Sequence, residues 1–422
     1  MDEIVLQQIN KNGNAISYDF VVSAGLGLYF SGKPFTIEYP ENIETVPDAI
    51  AAIPFVSNVL PIIWMTNSVL RLKELDKAFY DCIPNVRGGF EQMFPESVFA
   101  GQILVERIVE CDIPVSGRSA AFFSGGLDAV HTLVRHLEER PALISIWGSD
   151  IRFENADGWQ IVHKGIAEYA EKYNLPDVMI RSSFREFDNE GQLHKDFSEQ
   201  LKDSWWHGVK HGIGLLGHAA PYAYLHGLST VYIASTNCPA DRHVRCSSNP
   251  KTDNHVRYAS ARVIHDGFEC SRQDKVRDVV DYVQRTGDQV SLHVCWQSQT
   301  GSNCCRCEKC YRTIVGLIAE GEDPVRYGFG DAEVTLDDLQ LCLCERPEHY
   351  VALKVYWIYI QKSIIKNRHK LRKNPQWKHM KWILKADFSH PETLKAPMSM
   401  REKLSQYRFY QKLHELKVKL RG

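Results

Sequence analysis

The sequence lacks an apolar run long enough to cross a membrane. The longest apolar stretch of the 422 residues, Ala49 to Met65, is interrupted by two prolines and by Ser57 and Asn58. The first residues, Met-Asp-Glu-Ile, have neither the basic start nor the apolar core of a signal peptide, and no extended low-complexity tract follows. These absences exclude a membrane-spanning protein and predict a soluble, cytoplasmic one.

Cysteine is too sparse for a protein held together by disulfides. Twelve cysteines are spread over a chain long enough for two or three domains around a well-buried core. Disulfide scaffolds are short and dense in cysteine, whereas four of these cysteines have the spacing of metal ligands. We therefore expect a reducing compartment.

The net charge is close to zero, but the charges are unevenly distributed. Residues 351–422 hold 18 Lys and Arg against four Asp and Glu, whereas residues 1–350 hold 32 against 48. The aromatic residues Trp377, Trp382, Tyr407, Phe409 and Tyr410 are interleaved with the basic ones. This composition fits a nucleic-acid or protein partner, and it equally fits a helical region whose aromatic side chains are buried.

Strand and helix patterns alternate through residues 113–320. Strands are predicted at Ala120–Phe123, Ala142–Ile146, Asp177–Arg181 and Thr230–Ala234, and helices at Asp128–Glu139, Gly158–Tyr173 and Trp205–Leu225. Such alternation is typical of an α/β fold, a Rossmann-like parallel sheet with helices on both faces. Its ligands bind beyond the carboxyl ends of the strands.

Two further regions flank this domain. Residues 1–112 are predicted to form an α+β N-terminal module, with strands at Glu3–Gln8, Ala15–Val22 and Gly27–Phe30 and a helix at Glu96–Cys111. Residues 321–422 are predicted to form a basic helical C-terminal region.

A glycine turn joins the first strand of the alternating region to its helix. Phe123-Ser124-Gly125-Gly126-Leu127-Asp128 lets the backbone approach a ligand closely and presents N–H groups at a helix N-terminus, which favours an anion. Ser124 adds a hydroxyl, and Asp128 adds a carboxylate suited to Mg²⁺. The alternative is an ordinary tight turn in which Asp128 is the N-cap residue.

A cysteine cluster lies far downstream. Cys304, Cys307 and Cys310 form two overlapping C-x-x-C turns, and Cys295 approaches from a strand-like segment, Val290 to Val294. Four thiolates at this spacing can close a tetrahedral Zn²⁺ site. The alternatives are an iron–sulfur cluster and a set of redox-active thiols.

The two motifs, in this order, resemble the PP-loop ATP pyrophosphatases, and most closely the 7-cyano-7-deazaguanine synthase (QueC) family. That family pairs an S-G-G-x-D-S loop with a zinc-binding cysteine group. Trp147-Gly148, the segment from Ser271 to Val276 and Arg312 match further family positions, so the correspondence covers roughly residues 118 to 317. Ala129 departs from the loop pattern and Cys305 from the cysteine pattern.

The resemblance implies a domain of PP-loop (HUP) type that binds ATP and Mg²⁺. The implied nucleotide-binding residues are Phe123, Ser124, Gly125, Gly126, Leu127, Asp128, Trp147 and Gly148; the implied catalytic residues are Ser124, Asp128 and Lys275; and the implied zinc ligands are Cys295, Cys304, Cys307 and Cys310.

The implied reaction adenylates a small-molecule carboxylate, 7-carboxy-7-deazaguanine or a similar acid, and then forms a C–N bond with ammonia or an amine. Relatives in antiphage defence use a protein amine as the nucleophile. Two other functions stay open: a PP-loop enzyme that thiolates tRNA, with the basic tail binding RNA, and a non-catalytic scaffold that senses nucleotide. Ala129 and the flanking regions motivate the second of these.

Overall fold

The computed structural model describes residues 2–241, 243–295, 302–330, 336–346 and 349–395. The chain divides into two units, Met1–Glu269 and Cys270–Gly422. The first unit contains a large sheet, and the second is helical in the part that the structure describes.

The strands all belong to the first unit. They are β1 (Glu3–Asn12), β2 (Ala15–Val22), β3 (Phe35–Glu38), β4 (Val69–Asp76), β5 (Gln102–Val109), β6 (Ser119–Phe122), β7 (Ala142–Trp147), β8 (Asp177–Ser182), β9 (Thr230–Ala234), β10 (Arg257–Tyr258) and β11 (Ala261–Asp266). They form one sheet in the order β10-β11-β9-β6-β7-β8-β3-β2-β1-β4-β5. The strands from β11 to β8 in this order are parallel, β3 and β2 pair antiparallel to their neighbours, and β1, β4 and β5 are parallel again.

Helices surround this sheet and make up the second unit. Those of the first unit are α1 (Asp48–Ala51), α2 (Ile53–Thr66), α3 (Lys77–Met93), α4 (Leu127–His136), α5 (Ala156–Tyr173), α6 (Glu190–Leu201), α7 (His211–Leu216), α8 (Ala220–His226) and α9 (Pro250–Asp253). Those of the second are α10 (Arg272–Thr286), α11 (Glu308–Ala319), α12 (Leu339–Glu345), α13 (His349–Ala352), α14 (Ile358–Leu371) and α15 (Trp377–Met380). Short π-helical segments occur at Trp206–Lys210 and Leu353–Trp357, and 3-10 turns at Ala24–Tyr29, Leu137–Glu139, Gly217–Ala219, Pro239–Asp241, Pro324–Tyr327, Lys381–Lys385 and Pro391–Thr393.

The strand order reverses direction at β6. From β6 the chain adds β7 and β8 on one side, and it then crosses back to add β9 and β11 on the other side. Because crossovers between parallel strands are right-handed, α4 and α5 cover one face, and the connection containing α6 to α8 returns over the other. The loops after β6 and β9 therefore flank the point of reversal at the carboxyl edge of the sheet.

The predicted α/β fold with a mostly parallel sheet flanked by helices is confirmed, but two local predictions are wrong. Gly27–Phe30 is not a strand, since Ala24–Tyr29 forms a 3-10 turn. Glu96–Cys111 is not a helix, because its β-branched residues form the edge strand β5. The half-buried Ile103 and Val105 of β5 alternate with exposed neighbours, which is the period of a strand and not of a helix.

The sheet continues through the region predicted to be a separate N-terminal module. Strand β3 pairs with β8, so residues of the 1–112 segment and of the 113–320 segment share one sheet. The three-part division at residues 112 and 320 stays a prediction, and the two units of the structure meet between Glu269 and Cys270.

The longest apolar stretch forms α1 and α2, whose side chains are buried almost completely around the helix. A helix that is apolar on every side is typical of a protein interior. Within the described residues, no helix combines the length and the apolar character that spanning a membrane requires.

A fully buried ion pair supports the sheet near its carboxyl edge. The Lys210 ammonium lies 2.6 Å from Asp188 Oδ2 and also donates to the Phe184 carbonyl at 2.7 Å. Neither charged side chain is exposed. Removing one partner would leave the other charge in a low-dielectric interior.

We therefore expect Lys210→Met to lower the free energy of unfolding by about 3 to 5 kcal/mol. The matched change Lys33→Met removes an exposed cation that lies 3.2 Å from Glu186, and it should cost less than about 1 kcal/mol. Urea titration followed by circular dichroism measures both losses. Equal losses in the two variants would show that burial does not determine how much the Lys210 ion pair contributes to the free energy of unfolding.

Candidate functional site

The glycine turn after β6 has the backbone geometry of an anion site. The Phe123 N–H still donates to the Ile144 carbonyl at 2.8 Å, and Gly125 then turns the chain with φ of +71°. Gly126 is the N-cap residue of α4 and accepts its first helical bond, from the Val130 N–H at 2.9 Å. The N–H groups of the first turn have no earlier carbonyl in the helix to bond, and the helix dipole is positive there.

Two polar side chains flank these N–H groups. Ser124 is exposed, and its Oγ accepts from the Gly126 N–H at 3.4 Å. Asp128 lies in the first helical turn and is half-buried. It is not the N-cap residue, as the alternative interpretation required, because Gly126 holds that position and no side chain caps the helix. Ala129 and Leu127 are buried and pack the helix onto the sheet.

Trp147 and Gly148 lie at the carboxyl end of β7, the strand beside β6. Gly148 has φ of +103°, and a Cβ there would lie 2.0 Å from the Ser182 carbonyl oxygen, so only glycine fits. The Trp147 ring stacks on Trp159 with centroids 5.9 Å apart, and the Arg181 guanidinium lies 5.3 Å from the Trp147 ring. The structure therefore brings these two residues to the same sheet edge as the glycine turn.

A buried network that the sequence did not reveal holds α4 against the neighbouring strands. Asp266, the last residue of β11, accepts from Thr132 Oγ1 at 2.8 Å and contacts His136 Nε2 at 3.0 Å. The hydrogen bond with Asp266 raises the pKa of His136. The His136 ring stacks on Tyr232 of β9, with centroids 4.0 Å apart. These contacts fix the helix whose first turn forms the candidate site.

Lys275 belongs to the second unit and lies in the first turn of α10, where it is buried. The helix begins directly after its N-cap residue, Ser271. Ser271 and Asp274 form a capping box, with the Ser271 N–H donating to Asp274 Oδ2 at 3.0 Å and the Asp274 N–H donating to Ser271 Oγ at 3.2 Å.

Four cysteines of the second unit form a group that can hold a metal ion. The sulfur atoms of Cys295, Cys304, Cys307 and Cys310 all lie within 4.8 Å of one another. The Cys295–Cys307 and Cys304–Cys310 sulfur distances are both 3.9 Å. A tetrahedral ion with sulfur ligands at about 2.3 Å separates them by about 3.8 Å. The sulfur positions therefore fit such an ion.

Asn303 shapes the metal centre, and sequence reasoning missed it. Its Oδ1 accepts from the N–H groups of Val294 and Cys295 at 3.0 and 3.2 Å, and its Nδ2 donates to the Leu292 carbonyl at 2.7 Å. The predicted strand at 290–294 is wrong: the segment is irregular, and the Asn303 side chain supplies hydrogen bonds that a neighbouring strand would have made.

Cys305 stands apart from the four candidate ligands. Its φ is +55°, and its Sγ contacts the Asn303 carbonyl at 3.7 Å. It does not belong to the group of mutually close sulfur atoms. This geometry agrees with a side chain that lies outside both C-x-x-C turns.

The helix after the cysteines is anchored by a charged pair. Glu308 and Arg312 lie 3.5 Å apart on α11, and the Trp357 indole N–H donates to Glu308 Oε1 at 2.8 Å. The Arg312 guanidinium lies 4.0 Å from the Tyr356 ring centroid. A buried helix thus begins at the cysteine cluster, with Cys307 as its N-cap residue.

No protein-family model matches the chain, and neither a curated protein nor a solved structure matches it. The resemblance to PP-loop enzymes therefore rests on the motifs of the sequence.

We expect Cys304→Ser to remove the bound metal and to lower the melting temperature by about 10 °C, because binding energy at a four-thiolate site is folding energy. Cys305→Ser is the matched control, one residue away, and should keep both the metal content and the melting temperature of the wild type. Elemental analysis and differential scanning fluorimetry measure the two quantities. Equal damage in both variants would overturn the ligand assignment.

Proposed function

We propose that this chain is an ATP-dependent ligase that adenylates a carboxylate and then forms a C–N bond. One observation carries the proposal: a Ser-Gly-Gly turn and a helix N-terminus lie where the strand order reverses, at the carboxyl edge of a parallel sheet. Open α/β sheets bind their ligands at that position. The fold would then be of the PP-loop (HUP) type, with additional regions on both sides.

The glycine turn would hold the β,γ-pyrophosphate of ATP. The N–H groups from Gly125 to Asp128 and the Ser124 hydroxyl supply donors for the phosphate oxygens. Asp128 supplies a carboxylate for Mg²⁺, whose charge would neutralise the departing pyrophosphate. Trp147 and Gly148 would border the nucleoside, and the family resemblance assigns Lys275 a catalytic role.

The reaction consists of two nucleophilic displacements, the first at phosphorus and the second at carbon. A carboxylate oxygen of the substrate attacks the α-phosphorus of ATP, and pyrophosphate leaves. An amine nitrogen then attacks the acyl carbon, AMP leaves with the electron pair, and the nitrogen loses a proton to the solvent. The candidate acid is 7-carboxy-7-deazaguanine or a close analogue, and the amine is ammonia or, in an antiphage role, an amine of a protein.

The metal in the cysteine cluster would be zinc with a structural role. Four thiolates fill a tetrahedral shell and leave no position open for water or substrate. The ion would tie the irregular segment before Cys295 to the start of α11. An iron–sulfur cluster would colour the protein, whereas zinc would not. A thiol relay for tRNA thiolation needs accessible sulfur, and Cys295, Cys307 and Cys310 are buried.

A basic helix face supports an interaction with a polyanionic partner. Ile360, Ile364 and Leu371 of α14 are buried, and Asn367 Nδ2 donates to the Ala319 carbonyl at 2.7 Å, so this side packs on α11. The exposed side carries Lys362, Lys366, Arg368 and Lys370, and the exposed Arg372 and Lys373 follow the helix directly. The half-buried Trp377 and Trp382 also lie in the described part of the chain, whereas Tyr407, Phe409 and Tyr410 lie outside it. The acceptor or partner would be polyanionic.

We expect ATP–pyrophosphate exchange that depends on added 7-carboxy-7-deazaguanine, and Asp128→Ala should reduce it at least about 100-fold because a Mg²⁺-holding carboxylate is lost. The control Asp157→Ala removes an exposed acid from the first turn of α5 and should exchange at the wild-type rate. Nucleotide binding without exchange for any tested acid would favour the nucleotide-sensing scaffold instead. Equal exchange in both variants would remove Asp128 from the reaction.

The α14 face predicts salt-dependent binding of nucleic acid. Replacing Lys362, Lys366 and Lys370 by Glu should reduce the slope of log affinity against log salt by about 2 to 3, because fewer counterions are released. Replacing the exposed Lys33, Lys164 and Lys195 of the first unit by Glu is the control. Fluorescence anisotropy with a labelled RNA measures both. Equal slopes for the two triple variants would contradict nucleic-acid binding by this face and would favour an acidic protein as its partner.

A further inference from the structure

A second cluster of reactive side chains lies in the first unit, and the proposed function does not use it. His207 lies in the π-helical segment Trp206–Lys210, and His211 begins α7. Cys246 lies in the long connection between β9 and β10 and is 7% exposed. His207 Nδ1 contacts Asp203 Oδ2 at 2.5 Å, and the His207 ring also interacts with the Cys246 thiol.

The backbone holds Cys246 against the two histidines. The Ser247 N–H donates to the His207 carbonyl at 2.9 Å, and the Gly212 N–H donates to Ser247 Oγ at 2.9 Å. A Cβ on Gly212 would lie 2.4 Å from the Ser247 carbonyl oxygen, so the segment after Cys246 is in close contact with the start of α7. The cluster is reached from solvent at His207, whose side chain is 45% exposed.

The groups around the Cys246 sulfur favour its ionised form. Burial alone would raise the pKa of Cys246, but hydrogen bonds with His207 and His211 outweigh burial and lower this pKa to about 6. Burial opposes the charge on His207 too, yet the bonds with Asp203 and Cys246 raise its pKa to about 10. The pKa of His211 is also raised: burial opposes its charge, whereas Cys246 and the charge of Asp150 favour it. A thiolate beside imidazolium groups is the nucleophilic form of cysteine.

The cluster lies at the same sheet edge as the glycine turn. The Arg185 guanidinium lies 3.8 Å from the Trp206 ring centroid and donates to the Ser149 carbonyl at 3.2 Å. Ser149 and Asp150 follow β7 directly, and β7 is the hydrogen-bonded neighbour of β6. Adjacent strands lie about 4.8 Å apart. The connection after β9 carries Cys246, and β9 and β7 are the two hydrogen-bonded neighbours of β6, so Cys246 and the glycine turn lie on loops that follow neighbouring strands.

We propose that Cys246 accepts the acyl group from the adenylate and holds it as a thioester until the amine arrives. Asp203 and His207 position the sulfur and balance its charge. The inference rests on the proposed adenylation and adds a covalent intermediate to it.

Each step of this transfer balances. The thiolate sulfur bonds to the acyl carbon, the bond from that carbon to the phosphate oxygen breaks, and AMP leaves with the electron pair. His207, no longer paired with a thiolate, gives its proton to water. The amine nitrogen then attacks the thioester carbon, its proton goes to His207, and the sulfur leaves as the thiolate. A thiol of low pKa is a good leaving group.

The test is intact-mass spectrometry of the full chain after acid quenching, with ATP, Mg²⁺ and 7-carboxy-7-deazaguanine present and no amine added. We expect one adduct, the mass of the acid less water, which hydroxylamine removes and which peptide mapping assigns to Cys246. Cys246→Ser should lose the thioester. Cys82→Ser, which removes a buried thiol whose pKa burial raises to about 12, should keep it. Pyrophosphate exchange without an adduct on the wild-type protein would overturn the inference and leave adenylation standing.

Alkylation kinetics test the activated sulfur without the acid. The rate of iodoacetamide labelling at Cys246 should rise with a midpoint near pH 6, and His207→Gln or Asp203→Asn should move that midpoint above pH 7. Failure of the proposed function would abolish exchange but leave this midpoint in place. A wild-type midpoint near pH 8.5, the value of an ordinary thiol, would overturn the role of Cys246.

Discussion

The start of α4 is the feature on which the candidate site depends. A helix leaves its first N–H groups without partners in the helix, and here these groups lie at the carboxyl edge of the sheet beside the reversal of strand order. Their position is set from behind by Asp266, which bonds Thr132 in the middle of the helix and His136 at its last residue. The candidate anion site therefore depends as much on β11 as on the glycine turn itself.

The carboxyl edge gathers three kinds of chemistry from loops far apart in sequence. The loop after β6 offers N–H donors and a carboxylate, the end of β7 offers an aromatic wall at Trp147, and the connection after β9 brings Cys246 to His207. Each loop extends from a strand buried in the same parallel sheet, so the groups are held on a rigid frame. The second unit adds four cysteines that can hold a metal ion and a helix with a basic exposed face.

Local sequence patterns predicted the structural features that depend on interactions between neighbouring residues. The strands β6 to β9, the glycine turn and the four-cysteine group are each encoded within a few neighbouring residues, so spacing alone located them. The edge strand β5 was predicted as a helix because its apolar residues also fit helical spacing, and only its pairing with β4 decides the conformation. No local pattern points to three residues of the structure, Asn303, Asp266 and Cys246. Their contacts are with residues that are distant in sequence or that lie on irregular backbone.

A crystal structure with Mg²⁺ and α,β-methylene ATP, which cannot be cleaved between the α- and β-phosphates, tests the central claim most directly. We expect phosphate oxygens about 3 Å from the N–H groups between Gly125 and Asp128, with the metal ion held by the Asp128 carboxylate. An ordered nucleotide bound elsewhere on the chain, with the turn after β6 free of phosphate, would contradict it.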